Sequence, residues 1–322
     1  MTSAFYGLCY HYIRQENDDP FPRIFGTKIN DFIDHVKMSQ KKFKIMSLED
    51  LQLFYEGKTE VSNKNKGLIF TFDDGLADQF EAAKILHENN ISGVFFIPTC
   101  TLFDQIPANP IILHYAIAIH GLRQFLKRLE KYFEKYNIDK NSLFIKNADK
   151  IENKIEVIDK IKNILYYKIN HVLTRKILIK IYQDFILTEN ISNNNIHLSV
   201  DQVKKLLKMG HKIGTHSHSH ISVASSKLSN DEFNMEIIKP KELMEKKFKT
   251  KVISMSYPFG EQKDCLESEK LLKKTKSYEL AFTIKHKLNM INTSPLEIGR
   301  YMIHSKDNAL KLEKKLETVE RK

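Results

Sequence analysis

The sequence predicts an α/β protein with parallel strands, arranged as a barrel or an open sheet, that carries a helical insertion near its middle. Two observations predict this. Over most of the 322 residues, short apolar runs rich in β-branched and aromatic residues alternate with stretches of helical periodicity, the pattern left by repeated strand–helix–strand units. From about residue 102 to 196 that rhythm stops. The chain there is rich in Lys, Ile, Asn, Leu and Tyr and has no glycine after Gly121, and it reads as helices.

Taken in order, strands are expected over residues 5–12, 44–46, 68–72, 93–97, 212–215, 252–256, 280–284 and 298–303. A helix over 31–42 follows the first. Ser47 opens a Ser-Leu-Glu-Asp start, similar to a capping box, for a helix over 48–55. Apolar residues at helical spacing predict another over 76–88. The insertion reads as helices over 114–136, 149–163 and 173–185. Ser199 caps a helix over 200–209 that Gly210 stops, and Ser229 or Asn230 starts one that runs towards Lys247. The expected division is an α/β unit of residues 1–104 and 196–322 with 105–195 inserted into it. No internal repeat and no linker rich in Pro, Gly or Ser is present.

Hydrophobic residues at 42% and charged residues at 28% are the composition of a soluble globular protein. Cys9, Cys100 and Cys265 are an odd number, far apart and without CxxC spacing. That argues against a disulfide framework and a thiolate zinc site, and favours buried or idle thiols in a reducing compartment. The N-terminus lacks a basic stretch followed by a long apolar run, and the apolar segment 111–119 is interrupted by His114 and too short to cross a bilayer. The expectation is a cytoplasmic protein with no transmembrane segment, peripheral membrane contact remaining open. The net charge of +11 has two readings. Solvated lysine faces are the stronger; the other is a preference for anionic partners such as nucleotide-linked or lipid-linked sugars. No RNA-binding signature or zinc-finger spacing appears, so nucleic acid is not an expected partner.

Four short motifs carry chemistry. Thr71-Phe72-Asp73-Asp74-Gly75 ends an expected strand with two adjacent carboxylates. Like charges this close call for a cation or a shared proton, although Asp and Gly also make ordinary turns. Gly214-Thr215-His216-Ser217-His218-Ser219-His220 follows another strand. His216 and His220 can ligate one metal if the segment curls, while His218 between them points elsewhere and reads as structural. Tyr257-Pro258-Phe259-Gly260 is a turn that can aim a backbone N–H at an oxyanion. Gly299 to His304 holds Arg300, placed to orient a carboxylate, and His304, a candidate general acid for which an ordinary histidine without function is the stronger reading.

Alone, each motif is weak. Together they fall at the C-terminal ends of separate strands, which converge on one face of an α/β barrel. One carboxylate and two histidines then form a three-ligand metal site with positions left for water and substrate. Zinc is the first expectation for the divalent metal, and cobalt, nickel or iron also suit these ligands. Asp73, beside the ligand Asp74, stays free to act as a base.

The order TFDDG, GTHSHSH, YPFG resembles the polysaccharide deacetylase family, carbohydrate esterase family 4 with its NodB-like homology domain. The likeness extends over about residues 1–104 and 196–305, and Tyr10-His11-Tyr12 is similar to the first strand of some members. The resemblance implies a distorted (β/α) barrel and hydrolysis of N-acetyl groups on amino sugars. It implies Asp73 as catalytic base, Asp74, His216 and His220 as metal ligands, and Phe259 as the oxyanion-facing N–H. This chain departs from the family in three places. Ser256 stands where an arginine is common, with Arg300 the alternative tether of the base. No tryptophan is present for the sugar groove. The final motif is met only loosely by Met302, Ile303 and His304.

The function expected is a metal-dependent amide hydrolase acting on an amino sugar or glycan intermediate. The alternatives are a deformylase or cyclic-amide hydrolase on the same fold, and a catalytically idle sugar-binding relative.

Overall fold

The structure, a computed structural model, describes residues 3–15, 24–58, 61–62, 65–139, 154–265 and 276–319. Its strands are β1 (Ala4–Tyr10), β2 (Ile13–Arg14), β3 (Thr27–Lys28), β4 (Lys44–Ile45), β5 (Gly67–Phe72), β6 (Val94–Ile97), β7 (Lys212–Thr215), β8 (Ser254–Ser256), β9 (Leu280–Phe282), β10 (Asn289–Met290) and β11 (Tyr301–Met302). β1 and β5 are buried along their whole length. Their runs AFYGLCY and GLIFTF therefore need no polar face, as expected of parallel strands covered on both sides.

The sheet runs β1–β5–β6–β7–β8–β9, all parallel. β11 pairs with the other edge of β1, Leu8 level with Tyr301, and a parallel bridge joins Phe282 to Ile298. The last segment thus connects β9 back to β1, and the sheet curls into a distorted (β/α) barrel. β10 adds an antiparallel pairing at the start of β1, and β4 pairs with the start of β5. Alternation along the strands sorts the side chains. Phe5, Ile69, Val94, Phe96, Phe282 and Ile298 share one apolar cluster. Tyr6, Leu8, Tyr10, Phe70 and Phe72 belong to another, with the helical residues Phe32, Val36, Ala83 and Leu86.

Ser47 caps Leu48–Tyr55 in a full capping box, its hydroxyl taking the Asp50 N–H while the Asp50 carboxylate takes its own. Ser199 does the same with Gln202 for Val200–Lys208. The helix expected over 76–88 starts only at Gln79, because Leu76 is bridged to His197. The single helix expected over 114–136 is two, Asn109–His120 and Leu122–Lys135. Gly121 separates them with φ +79°, a conformation glycine adopts without cost. Lys154–Asn163 is the described part of the helix expected over 149–163, whose first residues lie outside the described ones. Two short strand pairings, β2 with β3 and β10 with β1, have no counterpart in the expectations.

The helices from Asn109 to Ile186 pack against one another through Ile112, Phe125, Leu129, Ile161, Leu165, Ile177 and Leu178. They stand as a layer over the C-terminal ends of the strands, where His114 and Tyr166 face the same cleft as Asp73 and His216. Among the described residues no helix is long and apolar enough to cross a membrane.

Candidate active site

Parallel register sets the site. Tyr10 is level with Phe72, and Ile97 with Thr215, so His11, Asp73 and His216 emerge at one end of the barrel. They open into a cleft of about 1330 Å³ that also reaches Asp74, His220, Phe259 and His304.

Asp74, His216 and His220 are all buried, and their ligand atoms lie within 4.8 Å of one another. His220 Nε2 is 3.2 Å and His216 Nε2 3.7 Å from Asp74 Oδ1. That oxygen is buried and has no hydrogen-bond donor. The His216 ring is oriented by a 2.8 Å contact of Nδ1 with the Ser256 carbonyl. An N–H there leaves the Nε2 lone pair facing Asp74. Burial pushes His216 down to about 4, against the pull of Asp73, so the ring is neutral, as a ligand must be. An unsatisfied buried carboxylate oxygen facing imidazole nitrogens fits a divalent transition metal.

The loop after β7 is built to bring the two histidines together. Ser217 Oγ accepts the N–H of His220 at 2.9 Å. Glu236 anchors the same loop by accepting from Ser219 N and Oγ at 2.9 and 2.8 Å. His218 turns away, with Nε2 2.9 Å from Asp104 and Nδ1 3.0 Å from Thr99 Oγ1. Asp74, Ser217, His220 and Phe259 all hold left-handed backbone, φ +72°, +56°, +62° and +62°. Non-glycine residues in this region cluster at functional sites.

Asp73 is held from behind. Arg300, fully buried, reaches through the barrel and donates Nη1 to Oδ1 at 2.8 Å and Nη2 to Oδ2 at 2.7 Å. Ser256 Oγ donates to Oδ2 at 3.0 Å. Cys9 Sγ stands 3.4 Å from the same oxygen. Burial alone would raise this carboxyl, but Arg300 and then His216 hold it well below the usual carboxylate range. Gly7 leaves room for the arginine stem: a Cβ there would lie 2.7 Å from Arg300 Cγ.

Among the described residues no acceptor stands against the Phe259 N–H. Its ring meets the edge of His220 at 4.7 Å and lies 5.0 Å from the Tyr166 ring and 6.0 Å from Tyr167. This aromatic wall comes from the helical layer and was not expected from sequence. His304 is exposed on the cleft rim, its N–H donated to Asp307 at 3.0 Å. His11 sits deeper, half-buried, with Nδ1 4.0 Å from Cys9 Sγ. Its carbonyl accepts from Gln79 at 3.0 Å. The similarity of Tyr10-His11-Tyr12 to the first strand of some family members was the one signal that marked it. All three cysteines are buried free thiols.

Residues 179–282 match the polysaccharide deacetylase family, which bears out the resemblance read from the sequence. No curated protein sequence matches the chain. Solved structures share the fold. A Streptococcus pyogenes deacetylase, PplD in complex with acetate, is similar at a TM-score of 0.58 and 13% identity, over 98% of this chain and 99% of that one. A de-N-acetylase from Aggregatibacter actinomycetemcomitans aligns at 0.58 and 14%, over 97% and 100%. IcaB from Ammonifex degensii aligns at 0.57 and 13%, over 98% and 97%. At these identities the likeness is one of fold.

Proposed function

We propose that the chain is a metal-dependent amide hydrolase that removes the N-acetyl group from an amino sugar or glycan intermediate. One observation carries the reading: three convergent ligand atoms, one of them an unsatisfied buried carboxylate oxygen, lie beside a second carboxylate gripped by an arginine at the floor of a large cleft. The family match and the fold of solved deacetylases support it.

Asp74, His216 and His220 would hold the metal. A divalent ion there, zinc foremost, supplies Lewis acidity towards a carbonyl oxygen and makes a water acidic near neutral pH. Asp73 accepts the proton that the attacking water loses, and Arg300 keeps its carboxylate ionised and aimed. The Phe259 N–H donates to the oxyanion that develops on the amide oxygen. The departing amine needs a proton. His11 donates it in this reading, because it lies beside Asp73 and Cys9, whereas His304 is exposed at the rim. Phe259 and Tyr166 close the apolar side of the site against bulk water.

Elemental analysis of the dialysed protein, beside His216→Ala, tests the reading together with an assay for acetate and formate release from acylated amino sugars. The expected result is about one transition metal per chain, lost in the variant, with acetate as product. No metal after supplementation with zinc or cobalt would overturn it, and formate in place of acetate would move it to a deformylase.

A further inference from the structure

The wall of the cleft formed by Lys154–Asn163 and the π-helical turn Ile164–Lys168 carries two polar groups that the proposed chemistry does not use. Tyr166 is 9% exposed, and its hydroxyl is buried with no hydrogen-bond partner. A buried hydroxyl without a partner is costly and calls for an explanation. Lys162, four residues earlier and so on the same face, is half-buried in the same cleft and makes no ion pair among the described residues. Burial first, and Lys162 second, push His114 down to about 3, so the ring beside it is neutral and offers no repulsion. Asp73 is already matched by Arg300, and Asp159 is exposed at the rim.

We propose that Lys162 and Tyr166 form a subsite for an anionic substituent of the substrate, a phosphate ester or a carboxylate borne on the amino sugar whose amide meets Asp73 and Phe259. This rests on the amide-hydrolase reading above. A lysine without an ion pair wants a charged partner, and a phenol four residues on, lining the same cleft, adds the second donor that an oxyanion accepts. A neutral hydroxyl would satisfy Tyr166 but leave the lysine unpaired. The surplus of positive charge over the chain, +11, draws such a substrate in.

The test compares N-acetylglucosamine 1-phosphate, N-acetylmuramic acid and neutral N-acetylglucosamine on the metal-loaded full chain, with affinity by calorimetry and acetate release in parallel. Native protein should bind at least one anionic compound about tenfold tighter than the neutral one. The phosphate and carboxylate arms tell the two sources apart. Lys162→Met should bring that ratio near one, Lys162→Arg should keep most of it, and Tyr166→Phe should weaken anionic binding several-fold while the thermal midpoint holds or rises. Unchanged metal content in all three reports an intact fold. Acetate release without anionic preference, or a full preference in Lys162→Met, would overturn the subsite and leave the hydrolase reading standing. Lysine-dependent preference without acetate release would keep the subsite and sink the hydrolase.

Discussion

The guanidinium of Arg300 lies fork to fork against the carboxylate of Asp73, 2.8 and 2.7 Å across its two bonds. The remaining N–H groups go to Thr71 Oγ1, Ser256 Oγ and the Thr283 carbonyl at 2.9, 2.7 and 3.0 Å. All five donors are thus engaged. Arg300→Lys is therefore not conservative, since an ammonium cannot make the fork. Arg300→Ala leaves Asp73 charged and buried, and should lower unfolding stability by roughly 3–5 kcal/mol. Urea titration of the two variants checks the order: alanine worse than lysine, lysine worse than native.

Asp73→Asn keeps the size of the side chain but removes the base, together with the charge that pairs with Arg300. Turnover should fall by about 10²–10⁴, while metal content stays native because Asp74, His216 and His220 are untouched. Acetate-release kinetics and elemental analysis on one preparation check both halves. Full activity with metal bound would end the assignment of Asp73 as base.

Gly7 and Arg300 are neighbours where β1 pairs with β11, and a Cβ at position 7 would lie 2.7 Å from Arg300 Cγ and 3.1 Å from the Gly299 carbonyl. Gly7→Ala should push the arginine off its fork. The expected result is reduced turnover with metal retained, a loss at distance from any ligand. Normal kinetics in this variant would show that the arginine stem gives way without cost.

Asp307 offers a prediction about acid. Burial alone would raise its carboxyl, but Lys315, the His304 N–H and the Tyr301 hydroxyl, at 2.7, 3.0 and 2.8 Å, hold it below the ordinary value. A folded-state value below the unfolded one stabilises at pH above the unfolded value, about 4, and that gain is lost as pH falls further. Asp307→Asn should therefore be less stable than native at pH 7, with the gap closing below about pH 4. Thermal melts across pH would contradict this if the gap were constant.

Most of the frame was legible because fully buried parallel strands must be apolar along their length, as in Gly67–Phe72. The placement of Asp73, Asp74 and His216 at strand ends was legible for the same reason, since a polar residue directly after such a run can only be at its end. The break at Gly121 was not. A single glycine inside a helical pattern reads as tolerated until its φ of +79° is known. The aromatic wall was not legible either, because Tyr166 falls between the helices expected over 149–163 and 173–185, and its neighbour Phe259 is 93 positions away in the chain. His11 was visible as part of a family-like strand, but its approach to Cys9 and Asp73 depends on the level register of β1 and β5.

Asp74, Ser217, His220 and Phe259 each hold a positive φ that glycine or asparagine would adopt more cheaply. At these positions stability and chemistry therefore pull in opposite directions. A search for heat-resistant variants without an activity requirement would be drawn to replace the very side chains that the cleft depends on. The most robust form of this barrel would be a form without its ligands.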